Sequence, residues 1–395
     1  MNMTDRHPAL QGRALYLDYN ATTPVDPRVA SVISDFISNE FGNPSSAHAY
    51  GETANAALQR ARVQIGALIG ASGSEIIFTG SGSEADALAI RGAFLAARAA
   101  GRPHSHVITQ VTEHAAVLAA CRELEDFHGV AVTYLSVDEF GRVDPSDVEM
   151  AITSETFLVS IMHANNEIGT LQPIAKIAAI ARDHDVLMHC DAAQSIGKIP
   201  VDVSDMGVDM LTVVGHKMYA PKGIAALYVK TGVPLHSIIG GGGQENGLRA
   251  GTENVAYAVG LGKASELVAV SLENGEQKRL AALIHRFENI LRKELPELVH
   301  FHGHPVDHLP NTINFRVDGV RALLLLSSIS TIALSAGSAC HSGEDKPSSV
   351  LIALGLDPVD ALGAVRLSLG RWSTEHEVDE AAAQIISTAK ILLPH

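Results

Sequence analysis

Cysteine is scarce. The 395 residues include three, Cys121, Cys190 and Cys340. Three thiols so widely spaced exclude a disulfide framework and a clustered zinc knuckle, and no metal site is expected. Positive charge is also in short supply: 29 Lys and Arg stand against 44 Asp and Glu, a net charge of −15. A chain this acidic is poorly suited to neutralising phosphates, so nucleic acid is excluded as the primary ligand. The opening residues, Met1 to His7, lack the apolar core of a secretory signal. The longest uncharged stretch, Ala322 to Cys340, carries six hydroxyl residues and a glycine. A membrane span is more uniformly apolar, so this stretch is read as a buried helix, a strand and a loop. Internal repeats, low-complexity linkers, a G-x-G-x-x-G fingerprint and a P-loop are all missing. The expectation is a reduced, cytoplasmic protein with no membrane contact.

Apolar residues make up 46% of the chain, enough for a large core. Short apolar runs at Ile76–Thr79, His106–Thr109, Val132–Leu135, Phe157–Met162, Val186–Cys190 and Leu211–Val214 read as strands. Helical stretches such as Glu84–Ala99, Ala115–Glu125 and Ile174–His184 lie between them. This alternation predicts an α/β fold with a mostly parallel sheet covered on both faces. Past residue 251 the pattern changes. Glu253–Leu295 fits two long helices with a break at Glu273-Asn-Gly, followed by strands near Thr312–Phe315 and Val365–Leu369. The expectation is a large domain over 25–260, and a smaller α+β domain formed by 1–24 and 261–395.

In such sheets ligands gather at the carboxyl ends of the strands. Two strand ends there carry complementary chemistry. One apolar run ends at Asp191, and about 25 residues later the next is followed by Gly215-His216-Lys217. A lysine alone is ordinarily a surface charge. An Asp and a Lys at adjacent strand ends suit pyridoxal phosphate, with Lys as the Schiff-base amine and Asp as the partner of the pyridinium nitrogen. Thr79-Gly80-Ser81-Gly82-Ser83-Glu84 follows a strand and opens a helix, where free N–H groups and the Ser83 hydroxyl suit a phosphate. Taken alone it is an ordinary strand–helix turn. His114, after another strand, is placed to stack on the ring, and Asn166 to bond the ring hydroxyl or a substrate carboxylate.

Nine segments then occur in one order. They are Leu17-Asp-Tyr-Asn-Ala-Thr-Thr-Pro24, Phe41-Gly-Asn-Pro-Ser-Ser46, Glu113-His114, Asn165-Asn-Glu-Ile-Gly169, Asp191-Ala-Ala-Gln194, Gly215-His-Lys217, Arg249-Ala-Gly-Thr-Glu-Asn254, Ser335-Ala-Gly-Ser-Ala-Cys340 and Arg366-Leu-Ser-Leu-Gly-Arg371. In this the chain resembles the cysteine desulfurases, fold-type I, class V aminotransferase-like enzymes, from about residue 14 to 390. The resemblance implies a homodimer that uses pyridoxal 5'-phosphate to convert L-cysteine to L-alanine. The sulfur would pass as a persulfide on Cys340 to an acceptor protein, for iron–sulfur cluster assembly or tRNA thiolation. By the same resemblance, Lys217 is the Schiff-base lysine, Asp191 the pyridinium partner, Gln194 the ligand of the ring oxygen and His114 the stacking imidazole. Gly82, Ser83 and His216 hold the phosphate. Thr252 reaches the phosphate bound by the neighbouring subunit. Asn43, Asn166 and Arg366 hold the substrate.

Departures stand beside the matches. Gly82-Ser83 replaces a more usual Ala-Thr, Ala87 an Asn, and Val214 a Ser that would donate to the phosphate. Val214-Gly-His-Lys217, Gly242-Gly-Gln-Glu245 and Ala339-Cys-His-Ser342 are similar to selenocysteine lyases, which keeps L-selenocysteine as an alternative substrate. A non-catalytic assembly scaffold is the alternative of another class, and the retained Lys217, Asp191 and Cys340 argue against it. Cys340 precedes a polar, turn-rich segment suited to a nucleophile that moves its cargo. His114 or His341 could assist it, and the family position favours His114.

Overall fold

The computed structural model describes residues 6–336 and 346–393. A seven-stranded sheet forms the frame: β1 (Ile76–Thr79), β2 (His106–Gln110), β3 (Ala131–Leu135), β4 (Thr156–Ser160), β5 (Leu187–Asp191), β6 (Met210–Val214) and β7 (Ala225–Val229). Their order across the sheet is β1-β7-β6-β5-β4-β2-β3. Pairings are parallel from β3 to β6, and β7 runs antiparallel to both β6 and β1. Five of the strands are buried along their whole length. That is why they read as continuous apolar runs rather than alternating ones. The strand β7 escapes sequence reading because it opens Ala225-Ala226, residues of low β-propensity.

Helices cover both faces, among them α1 (Pro27–Ser38), α2 (Ala49–Ile69), α3 (Gly82–Ala99) and α4 (Ala115–His128). The helix α5 (Val255–Glu273) is apolar enough to cross a bilayer, yet half of its most apolar window is buried within the protein, where it packs on α1 and α2. It ends at Asn274, where Gly275 adopts φ +83° and starts α6 (Glu276–Glu294). A side chain with Cβ is disfavoured in that left-handed conformation, which fixes the break between the helices.

The second sheet is antiparallel, in the order Ser335–Ala336, Val365–Ser368, Thr312–Val317, Val299–His302. Its core gathers Leu15, Leu17, Phe287, Phe315 and the inner face of α7 (Glu375–Leu392). Buried residues of α5 as far as Val268 belong to the large core, whereas α6 contributes Leu280 onward to the second. The helix Ala322–Ser328 is only half buried, because Leu323 and Leu324 face solvent.

Asp26 and Arg371 tie the two units together. Asp26 caps α1, accepts from the Arg28 N–H and guanidinium at 2.9 and 2.8 Å, and pairs with Arg371, both partners being buried. Arg371 lies 4.2 Å over the Tyr219 ring, two residues past Lys217. Burial pushes the Asp26 carboxyl up, but the hydrogen bonds from Arg28 and the charges of Arg371 and Arg28 bring it down to about 2. The folded value lies below the unfolded one, so this pair stabilises above about pH 4 and is lost as pH falls towards 2. Asp26→Ala should cost roughly 3–5 kcal/mol in urea denaturation at neutral pH, because Arg371 stays buried without its partner. The deficit should shrink as pH falls from about 4 towards 2.

Candidate active site

The carboxyl ends of β5 and β6 open into a cavity of about 530 Å³. Lys217, Asp191, Gln194, His114, His216, Asn166, Gly82, Ser83 and Arg366 all line it. Asn43 and Thr252 do not line it. Asn43 is exposed and spends its Oδ1 on the N–H of Ser45 at 2.9 Å. Thr252 is exposed on the loop between Arg249 and α5. Cys340 and His341 lie outside the described residues, but Ser335 and Ala336, just before that stretch, form part of the cavity wall.

One end of the cavity is the first turn of α3. Ser81 caps it, accepting from the Glu84 N–H. Glu84 in turn accepts from the N–H of Gly80 at 2.8 Å and from Arg249 at 2.7 Å, so the 249 loop is docked on this turn. The N-terminus of an 18-residue helix, with Gly82 and Ser83 in its first turn, is suited to an anion. A β-carbon at Gly82 would lie 2.6 Å from a methyl of Val214. The two departures noted in the sequence are therefore one: valine at 214 leaves no room for a side chain at 82.

The centre of the cavity holds the amine. Lys217 donates to the backbone carbonyls of Asn20 at 2.6 Å and Ala21 at 2.8 Å. Burial and the nearby Arg366 lower its pKa to about 8. A tenth or so of it is therefore unprotonated at neutral pH, enough to act as a nucleophile or base. Asp191 ends β5, where its carboxylate accepts from the Ala193 N–H at 2.9 Å. Burial raises its pKa, while Ala193, His114 and Lys217 pull it back. A buried carboxylate with so few donors suits a cationic N–H. Helix terminus, amine and carboxylate thus fit the three ends of pyridoxal phosphate. His114 caps α4 with Nδ1 accepting from the Ala116 N–H, so the neutral ring carries its proton on Nε2. His216 bonds the Thr22 hydroxyl at 3.2 Å.

Arg366 lies on the second sheet. One guanidinium nitrogen donates to Asp18 at 2.6 Å, another to the Asn166 carbonyl at 2.9 Å, and Nε has no partner. Two of its five N–H groups are engaged, which leaves three for a ligand. Beside it Glu167 accepts from Ser348, and burial lifts its pKa to about 7.

Sequence reasoning missed several buried polar groups here. Lys198 donates to Gln194 Oε1 at 2.6 Å and to Asn20 Oδ1 at 2.8 Å, which turns the Gln194 amide N–H towards the Asn20 carbonyl. Burial holds the Lys198 pKa well below its ordinary value. Asp86 also lines the cavity, and His189 and Glu113 are buried close by. The available signal was a carboxylate, Asp86, amid Ala85, Leu88, Ala89 and Ile90, on what is otherwise an apolar helix face.

Comparison with known proteins agrees with the geometry. Residues 15–381 match the family model described as aminotransferase class-V. The chain is similar to the cysteine desulfurase IscS of Dictyoglomus turgidum, 41% identical over 389 residues that span 97% of each chain. It is 44% identical to the cysteine desulfurase of Mus musculus, over 96% of this chain and 82% of that one. Among solved structures it is similar to a NifS-like protein, with 34% identity, a TM-score of 0.88 and coverage of 96% and 100%. It is also similar to SspA in complex with cysteine, with 38% identity, a TM-score of 0.78 and coverage of 91% and 100%.

The contact between positions 82 and 214 is testable by a double-mutant cycle. Gly82→Ala should destabilise the protein by about 1–3 kcal/mol through overpacking. Adding Val214→Ala should recover part of that loss. Chemical denaturation of the four proteins should give a coupling of about 1 kcal/mol or more, and strict additivity would exclude the contact.

Proposed function

Belonging to the class-V aminotransferase family, among its cysteine desulfurases, the chain is an enzyme that takes sulfur from L-cysteine, and we propose that it does so with pyridoxal phosphate held by Asp191, Lys217 and the α3 turn. The observation that carries this reading is that the Lys217 amine and the buried Asp191 carboxylate line one cavity. When bound, the cofactor supplies a carbonyl carbon that condenses with amines and a ring that takes up an electron pair.

The chain's own residues do the rest. The N–H groups of the α3 turn, Ser83 and His216 hold the phosphate end, and Gln194 faces the ring oxygen. Asp191 supplies the negative charge for the ring nitrogen. Arg366 offers its free N–H groups to the carboxylate of L-cysteine. Lys217, once freed, is the base that moves the Cα proton. The nucleophile is Cys340. Cys121 and Cys190 are both fully buried, with burial raising the first thiol to about 12 and the second also upward, so neither is available as a thiolate. Cys340 stands four positions beyond Ala336 of the cavity wall, a reach of up to about 14 Å. The Cys340 sulfur bonds to the substrate sulfur as the Cβ–S bond breaks. The electron pair stays with carbon, which is protonated to the methyl of alanine, and the persulfide passes to an acceptor protein.

Thr252 supports a homodimer. It is exposed and outside its own cavity, as a residue serving a second copy would be. Ile37, Phe41 and Tyr50, in and between α1 and α2, are exposed apolar residues of the kind such an interface covers. Selenocysteine lyase is not favoured, since the relatives reported above are named cysteine desulfurases.

Cys340→Ala should retain its cofactor absorbance but lose alanine production from cysteine. Mass spectrometry of the wild type after reaction with cysteine should find one added sulfur on Cys340. Added sulfur on Cys121 or Cys190 alone would overturn the assignment, and faster turnover of selenocysteine than of cysteine would favour the lyase. Arg366→Ala should raise KM for cysteine roughly 10–100-fold, the loss of a charge-assisted bond, with cofactor content unchanged. Equal losses of both would place Arg366 in cofactor binding instead.

A further inference from the structure

In the cavity wall two carboxyl groups meet with little to neutralise them. Asp86, on α3, is 2% exposed, and Asp191, on β5, is 5% exposed. Oxygen atoms of both, with a ring nitrogen of His114, lie within 4.8 Å of one another. Asp86 Oδ1 has no hydrogen-bond partner. Among the described residues no lysine or arginine pairs with Asp86, and its nearest basic group is His189 Nε2 at 3.8 Å. His189 is fully buried, and burial lowers its pKa to about 3, so it is neutral and offers no charge. Its two ring nitrogens bond Ser160 Oγ at 2.8 Å and Thr212 Oγ1 at 3.1 Å, and the Thr212 hydroxyl also favours the charged form of Asp86.

The other ionisable groups placed around Asp86 include no lysine or arginine. The strand β5 brings Asp191 and Cys190, the turn after β2 brings Glu113 and His114, and α4 brings Cys121 behind Glu113. Glu113 is itself buried, with Oε2 unpartnered. Two like charges this close, both almost wholly buried, cannot both persist, and one group keeps its proton. The choice between them follows from their neighbours. Asp191 has the Ala193 N–H, His114 and Lys217 to favour its anion, whereas Asp86 has the Thr212 hydroxyl alone.

We propose that Asp86 is a positioning residue that stands protonated in the cavity wall, so that the Asp86–Asp191 pair carries one negative charge and that charge sits on Asp191. It acts through Asp191 by leaving a single anion to face the ring nitrogen, and in this it rests on the reading of Asp191 given above. Burial and the Asp191 charge both push the Asp86 carboxyl up, in agreement with the geometry. The folded protein then holds a proton that the unfolded chain releases at neutral pH. Stability from this source is greatest below the unfolded value near 4, and falls as pH rises towards the folded value.

The apo protein provides the test. Calorimetric unfolding at pH 7 in buffers of different ionisation enthalpy counts protons. Wild type should release about one more proton than Asp86→Asn, whose stability should decline less as pH rises. Asp86→Asn should also bind pyridoxal phosphate within about threefold of wild type, because a neutral amide replaces a neutral acid. Equal proton counts, or a tenfold loss of affinity, would overturn the proposal. If that variant does not fold, infrared spectra of wild-type apo protein labelled with 13C-aspartate decide. A protonated carboxyl band at pH 7 supports it and absence of the band refutes it. Asp191→Asn tests the underlying reading separately. Unchanged cofactor affinity there would remove Asp191 from the ring nitrogen and leave the proton count on Asp86 standing.

Discussion

One buried asparagine holds the cavity together. Asn20 is 1% exposed and uses every polar atom it has. Its N–H donates to Ser368, and its side-chain amide donates to Thr312 and to the Asn166 carbonyl. Its backbone carbonyl accepts from Lys217 and Gln194, and its side-chain carbonyl from Lys198 and Asn311. Those partners come from the segments that follow β5 and β6 of the large sheet and from both central strands of the small one. The two sheets therefore meet through one side chain with no spare valence, and a buried polar network with every member satisfied specifies a single arrangement. Lysine donates to the side-chain oxygen, so the amide orientation is not free to flip.

Around that point the protein accepts an unusual concentration of ionisable groups in its interior. Three carboxyls (Asp86, Glu113, Asp191) and two amines (Lys198, Lys217) are withdrawn from water within a few residues of the cavity. Burial pushes each towards its neutral form. The sheet can bear this because its strands are otherwise apolar and its backbone groups are paired within the ladder. A rigid frame of that kind keeps ionisable groups apart by fixed distances instead of letting them relax into ion pairs.

Much of this was readable from the sequence, for identifiable reasons. Strands buried on both faces advertise themselves as apolar runs, and residues at their carboxyl ends inherit a place in the cavity. Lys217, Asp191, His114 and Asn166 were accordingly found by position along the chain, and Gln194 by the family resemblance. Val214 and Gly82 each looked like a separate departure, and only the 2.6 Å that a β-carbon at 82 would leave to the Val214 methyl shows them to be one packing decision. Asp86 was invisible for a related reason. A carboxylate on a helix reads as a solvent-facing residue, and only its apolar neighbours Ala85, Leu88, Ala89 and Ile90 hint that this turn of α3 lies against β5 and β6. Lys198 was hidden in the same way, since its acceptors are 4 and 178 residues away. Strand β7 was hidden by its two alanines. Asn43 was named by motif alone, and its side chain serves the local turn.

The antiparallel β7 has a consequence for the order in which the molecule assembles. The strand β1 has one neighbour in the sheet, β7, about 150 residues further along the chain. Until Ala225–Val229 has left the ribosome, Ile76–Thr79 has nothing to pair with, and the turn that follows it has no fixed position relative to Asp191. Long-range pairings of this kind form late and slowly, because loop closure must be met before the contact returns anything. Arg366 arrives later still, on a strand whose partner is Thr312–Val317. A nascent chain therefore exposes strand edges and carboxyls without a completed pocket, and its small-molecule ligand meets a competent protein only after nearly the whole polypeptide has been synthesised.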